Sequence, residues 1–330
     1  MNDLHIAGIG YGPGLSCRDA GFREVSYLTY TTGGLPYLKT ARIGMPAIPN
    51  QYQECVTYLY ADRDCAESGH ESGGTGFIVG VPSTTRRDVS HLYCVTNYHV
   101  AIRDGASVIR VNNKDGGVSI FEKDSADWEF LRNGGDVAAV PIQLNSEIHQ
   151  FRFIGTDGFL TESNYNAGFI GVGEDVFMVG RFVDHDGVQT NKPAIRFGNI
   201  SVSPSYIPDF SNSDRSVQYF CLDMHSRTGF SGSPVVAYRT VGSDLSEAGA
   251  AGIKIHPPII TLLGIHCGQF PEKLVLEQKS GNKSNLTGPS AMTCALPSWG
   301  ILKLLACDKF SKMRAALDTE WGKRNYPCPE

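Results

Sequence analysis

From residue 51 onward the chain is built of short apolar runs, each broken by glycine or polar positions after about five to nine residues. A first series comprises VTYLYA (56–61), GFIVGV (76–81), LYCVTN (92–97), SVIRV (107–111) and DVAAVPI (136–142). A second comprises DVFMVGRF (175–182), AIRFGNISV (194–202), VQYFCLDM (217–224), SPVVAYR (233–239), IITLLGIH (259–266) and AMTCALP (291–297). A stretch containing glycine and asparagine (155–173) separates them. Such runs are strand-length, and their spacing predicts an all-β chain of two six-stranded antiparallel β-barrels, over 51–150 and 151–297. After Pro297 the pattern changes. SWGILKLLACDKFSKMRAAL (298–317) places apolar residues at helical spacing, with Ser298 as the expected N-cap, so 298–330 reads as a C-terminal helix and tail. Residues 1–50, rich in glycine and proline, read as an irregular extension.

Composition narrows the picture without changing it. Apolar residues make up 41% and charged residues 19% of 330, as in an ordinary folded protein. The net charge is −5 and lysines and arginines form no stripe, which excludes nucleic acid and anionic membranes as main partners. The first residues show no basic start leading into an apolar run, and no later run approaches a membrane span, so a cytoplasmic location is expected. The nine cysteines lack any C-x-x-C pair and are expected to be reduced. His91 with Cys94 and His266 with Cys267 are lone pairs, too few ligands for a metal site. Neither metal nor cofactor is therefore expected.

The chemistry concentrates in three places. Gly229-Phe230-Ser231-Gly232-Ser233-Pro234 has the form G-x-S-G-x-P. A glycine two before the serine lets the backbone turn so that the amides of Gly229 and Ser231 face one pocket, where they could hold an oxyanion. The alternative is a surface hairpin turn. Upstream, an apolar strand ends in Asn97-Tyr98-His99, where a strand giving way to a helical turn would mount a base. The small residues Gly74-Thr75-Gly76 just before it allow another element to approach closely. Asp136 stands at the mouth of an apolar strand, after two glycines, where a carboxylate can orient a histidine. Asp136 could equally cap its strand, and Asp127 is its nearest competitor.

Taken in order, GTGFIV, VTNYHV, GGDVAAVPI, FGNIS, GFSGSPVV, LLGIHCG and CALPSWGILKLL resemble the trypsin-like, chymotrypsin-fold serine peptidases, in particular bacterial members without disulfides. The resemblance spans residues 55 to 306. It implies a double β-barrel with the site between the barrels, His99 as general base and acid, Asp136 as its orienting partner and Ser231 as nucleophile. The amides of Gly229 and Ser231 would form the oxyanion hole, and a protein or peptide would be the substrate.

Two departures accompany it. Phe230 stands where secreted trypsins carry an aspartate that pairs with a new N-terminus, and Val100 stands where they carry a disulfide cysteine. Gly264-Ile265-His266 resembles the G-x-H of glutamyl endopeptidases and viral main proteases of this fold, which implies a preference for Glu or Gln before the scissile bond (P1). Alternatively, His266 turns aside and His225, Cys267 and neighbouring loops shape the pocket. The insert at 240–258 could rim the cleft. An α/β-hydrolase, with Asp244 and His256 or His266 completing a triad, is disfavoured because Pro234 leads into a strand and not a helix. Two further alternatives are a module of this fold acting through binding alone and a latent enzyme switched on by an activating partner, with 1–50 as control segment.

Overall fold

The structure, a computed structural model, describes residues 22–29, 37–44, 48–70, 73–86, 88–132, 134–183, 187–208, 214–239, 259–277 and 283–323. The chain divides into two compact units, Met1–Pro49 and Asn50–Glu330. Within the first, in the stretch expected to be irregular, β1 (Phe22–Thr29) and β2 (Tyr37–Gly44) pair antiparallel with Phe22 opposite Gly44.

The second unit is all-β with helices at its C-terminal end. Its first sheet contains β3 (Val56–Tyr60), β4 (Thr75–Pro82), β5 (Ser90–Thr96), β6 (Val108–Asn112), β7 (Val118–Phe121), β8 (Glu129–Phe130), β9 (Ala138–Pro141) and β10 (Ile154–Gly155). They run in the order β7-β6-β3-β4-β5-β9-β8, all antiparallel, and β10 adds to β4 in parallel. Six strands exceed two residues, and β8 and β10 are two-residue additions at the margins. Short helices α1 (Gln51–Glu54) and α2 (Arg63–Ser68) flank β3. Leu59, Ile78, Ile109, Ala138 and Val140 fill the core of this sheet with Trp128. They come from the apolar runs that marked the strands, which drives collapse by burial of about 2 kcal/mol per large side chain. β7 was not foreseen, because all four of its residues are only half buried and its pattern is weak.

The second sheet follows a short helix, α3 (Glu162–Asn166). It contains β11 (Asp175–Gly180), β12 (Ala194–Pro208), β13 (Ser216–Asp223), β14 (Pro234–Arg239), β15 (Ile259–Glu277) and β16 (Lys283–Pro297). These close into a six-stranded barrel, β11-β12-β13-β16-β15-β14. Val176, Met178, Phe220, Leu222, Val235 and Leu263 alternate inward to form its core. Strands β12, β15 and β16 extend past their apolar runs. Pairing from Pro271↔Pro289 to Glu277↔Lys283 continues the β15–β16 ladder, because a register set inside the barrel carries the backbone bonds onward.

The C-terminal segment forms two helices, α4 (Ser298–Leu305) and α5 (Asp308–Lys323), where one was expected. Pro297, not Ser298, occupies the N-cap position. Ser298 is buried and its hydroxyl donates to the Leu160 carbonyl at 2.5 Å. α5 returns to the first sheet. Its Asp318 carboxylate accepts from Ser83 Oγ (2.7 Å), Thr84 N (3.0 Å) and Thr84 Oγ1 (2.6 Å) and meets His91 Nε2 at 2.8 Å. Trp321 stacks on the His91 ring, centroids 4.9 Å apart. Burial alone would raise the Asp318 carboxyl, yet the hydrogen bonds from Thr84, Ser83 and His91 outweigh it and hold the group well below the usual carboxylate range.

Candidate active site

The polar end of β5 begins the site. Thr96 and Asn97 are fully buried, and the chain then turns through a single π-helical turn, His99–Arg103, closed by Asp104 N donating to His99 O at 2.8 Å. The turn stops the apolar strand and directs the His99 ring toward Asp136. His99 Nδ1 lies 2.5 Å from Asp136 Oδ2, and the His99 amide donates to Oδ1 at 3.0 Å. Asp136 has no exposed surface, and His99 keeps 13% of its side chain exposed. One carboxylate thus grips the histidine through ring and backbone together, which fixes the ring's position and puts a proton on Nδ1. Asn97 Nδ2 donates to the Asp136 carbonyl at 2.7 Å and holds that residue's backbone in place. Cys267, from β15, packs its sulfur 3.7 Å from the same carbonyl.

Ser231 comes from the other sheet, on the loop entering β14. Gly229 and Gly232 both take positive φ, +96° and +86°, which an L side chain rarely adopts. A Cβ on Gly232 would fall 2.0 Å from the Thr75 carbonyl, so the loop lies directly on β4. Thr75 fastens that contact. Its amide donates to Ser231 O (2.8 Å), its hydroxyl donates to Gly229 O (2.6 Å) and accepts from Arg181 N (2.9 Å), and its carbonyl accepts from Thr96 Oγ1 (2.7 Å). The close approach read from Gly74-Thr75-Gly76 is thus a contact between the two sheets. With the carbonyls of Gly229 and Ser231 directed to Thr75, their amides have no acceptor among the described residues. Ser231 Oγ makes no hydrogen bond either, to His99 or to any other described residue.

A cleft of about 940 Å³ opens beside this loop. Its wall includes His225, Ser226, Arg227 and Thr228, which lead into Ser231, with Arg196 from β12, Phe182, and Gln269 from β15. His225 is exposed on that wall. His266 is 2% exposed and reaches the cleft only through Ser226, whose Oγ sits 2.5 Å from His266 Nε2. Burial, with the neighbouring His99, lowers His266 from 6.5 to about 4, so its ring is neutral at pH 7. Cys267 faces Asp136 and does not line the cleft. The insert at 240–258, including Asp244 and His256, lies outside the described residues.

Sequence reasoning named Thr75 and Asn97 only as members of their stretches, without their hydrogen-bonding roles, and missed Ser226 and Arg196. The clearest available signal was Arg196, a charged residue inside the strand-like run AIRFGN. None of the seven described cysteines is in a disulfide. Burial raises Cys55, Cys94 and Cys294, with Cys94 pushed up to about 12, which leaves these thiols protonated and unreactive at pH 7. Among the described residues no three His, Cys, Asp or Glu side chains are placed to hold a metal ion, and no helix is long and apolar enough to cross a membrane.

No protein-family model and no curated protein matches the chain. Among solved structures it is similar to the Rv3671c protease of M. tuberculosis. The inactive form is 17% identical, with a TM-score of 0.40, over 77% of this chain and 89% of that one. The active form is 16% identical, with a TM-score of 0.39, over 77% and 81%. A structure of HBP is 11% identical, with a TM-score of 0.39, over 86% of this chain and 97% of that one.

Proposed function

We propose that the chain is a serine endopeptidase acting on protein or peptide substrates through an acyl-enzyme. Ser231 Oγ attacks the scissile carbonyl while His99 Nε2 takes its proton. The amides of Gly229 and Ser231 hold the oxyanion, and the same imidazole protonates the departing amine as the C–N bond breaks. Water then repeats the sequence and frees the acid. The observation that carries this reading is the 2.5 Å contact of His99 Nδ1 with a fully buried Asp136, beside a loop whose two amides have no acceptor among the described residues. In this reading residues 51–150 supply the base and its partner, 151–297 supply the nucleophile, and 298–330 close the unit. The free thiols accord with a reducing, cytoplasmic setting and a bacterial disulfide-free relative of the trypsins. A Glu or Gln side chain at P1 would meet Ser226, backed by His266.

A second reading has one observation in its favour. Ser231 Oγ is not hydrogen-bonded to His99, as expected of a latent enzyme that a partner switches on, with residues 1–50 as its control segment. The test is labelling of Ser231 by a fluorophosphonate, with Ser231→Ala as control, followed by digestion of a mixed peptide library. Serine-dependent labelling and cleavage support the peptidase. Absence of both in the isolated protein, with labelling restored by a cell extract, supports the latent form. Absence under all conditions leaves a binding module.

A further inference from the structure

Among the described residues, the cleft beside Ser231 carries positive charge and no negative charge. Arg196, Arg227 and His225 all contribute to its wall, and no carboxylate among the described residues lines it. Among the described residues neither arginine has an ion-pair partner. Arg196 is half buried beside this open cleft, so its charge is available to an anionic ligand.

Arg196 is also held in an unusual way. Its guanidinium lies 5.5 Å from the ring centroid of Phe182 and 5.7 Å from that of Phe230, the residue immediately before Ser231. Cation–π contact holds the guanidinium near both rings, and its N–H groups make no hydrogen bond to a described residue, so they remain able to pair with a carboxylate. Phe230 thus ties the charge to the nucleophile loop, at the position where secreted trypsins carry an aspartate. Ser226 supplies the second feature. Its hydroxyl faces the cleft with its backbone fixed by Gln269 Nε2, which donates to Ser226 O at 2.8 Å. His266 behind it is neutral at pH 7, so the Ser226–His266 pair offers a hydrogen bond and no charge. A neutral donor discriminates less between an amide and a carboxylate than a charged one, which adds a Coulombic attraction and can meet both carboxylate oxygens.

We propose that this cleft selects an acidic side chain on the substrate, with Arg196 as its charge partner and Ser226 as a neutral hydrogen-bonding group beside it. The proposal rests on the peptidase reading and sharpens its expected Glu-or-Gln preference to Glu.

The experiment separates the two layers. Fluorophosphonate labelling tests the peptidase reading. Fluorescence anisotropy of Ser231→Ala with peptides differing only in Glu or Gln at one position tests the cleft without requiring turnover. At least tenfold tighter binding of the Glu peptide is expected, shrinking as NaCl is raised. Adding Arg196→Gln should bring the Glu/Gln ratio close to one, and Arg196→Lys should retain a ratio of several-fold. Arg196→Lys and the salt dependence keep the test informative if Arg196→Gln unfolds. Equal binding of the two peptides, or a ratio unchanged in Arg196→Gln, overturns the proposal even if Ser231 labels. A Glu preference that depends on Arg196 upholds the cleft assignment even if Ser231 does not label, in which case only the peptidase reading falls.

Discussion

Asp136→Asn replaces a carboxylate that has no exposed surface and uses both oxygens on His99. The amide has one oxygen where the carboxylate had two, and the structure supplies two N–H donors. If the oxygen keeps the His99 backbone N–H at 3.0 Å, the NH2 group faces Nδ1 at 2.5 Å. The imidazole must then present a lone pair at Nδ1 and carry its proton on Nε2, which can no longer accept from Ser231. If the amide flips, the ring keeps its tautomer but the backbone N–H of His99 meets an NH2 group, and one buried donor is lost at about 1–3 kcal/mol. Either way the stabilisation of a developing imidazolium by a buried negative charge disappears. Loss of this function in a triad costs about 10⁴ in kcat, or about 5.5 kcal/mol at 1.36 kcal/mol per tenfold. The assay is the second-order rate of fluorophosphonate labelling of Ser231, backed by kcat and KM on a peptide from the library, with urea unfolding to confirm that the variant folds. The loss should fall on kcat and should lessen as pH rises, where hydroxide substitutes for the missing base. A folded variant retaining more than a tenth of wild-type reactivity at pH 7, or losing activity through KM alone, would refute the reasoning.

Thr75→Val keeps the shape of the side chain but removes the hydroxyl that bridges Gly229 O and Arg181 N. The buried Arg181 amide is left without its acceptor, so urea unfolding should show a loss of about 2–4 kcal/mol, together with slower labelling of Ser231. His266 gives a pH signature. Its native pKa of about 4 lies below the unfolded 6.5, so between those values the unfolded chain binds a proton that the native one does not. Stability therefore falls as pH is lowered through that window, by up to about 3 kcal/mol. The difference in unfolding free energy between pH 7 and pH 4.5 should be about 2–3 kcal/mol smaller in His266→Gln. Asp318→Ala strips the acceptor from Ser83, Thr84 and His91 and should free α5 from the first sheet, seen as a loss of about 3 kcal/mol or more and early protease cutting within 308–323.

Most of the strands were legible because each apolar run is buried almost throughout, as β3, β4, β5 and β9 show. The ends of β12, β15 and β16 were not, since backbone pairing inherited from a neighbour leaves no apolar trace. The same distinction holds at the site. His99, Asp136 and Ser231 stand at or beside strand ends, and their order along the chain in a pattern resembling a known family marked them as candidates where local context alone left alternatives open. Thr75 reaches Ser231 through its amide and Gly229, 154 positions along the chain, through its hydroxyl, and neither group looks different from that of any strand threonine. Arg196 and Ser226 acquire meaning only when β12 and the nucleophile loop are folded around one cleft. The split between α4 and α5 was hidden because apolar spacing continues across Ala306 and Cys307 while the helix axis does not.

The Thr75 contact also bears on how the molecule could be divided. The loop that carries Ser231 is shaped from outside its own barrel, by a strand of the other sheet. On the peptidase reading, a fragment ending near residue 155 would hold the base without a nucleophile, and the complementary fragment would hold a nucleophile whose loop lacks its mould. Produced as separate polypeptides, the halves should be silent alone and regain chemistry only when something brings them together. Such a pair would turn molecular proximity into a readable signal.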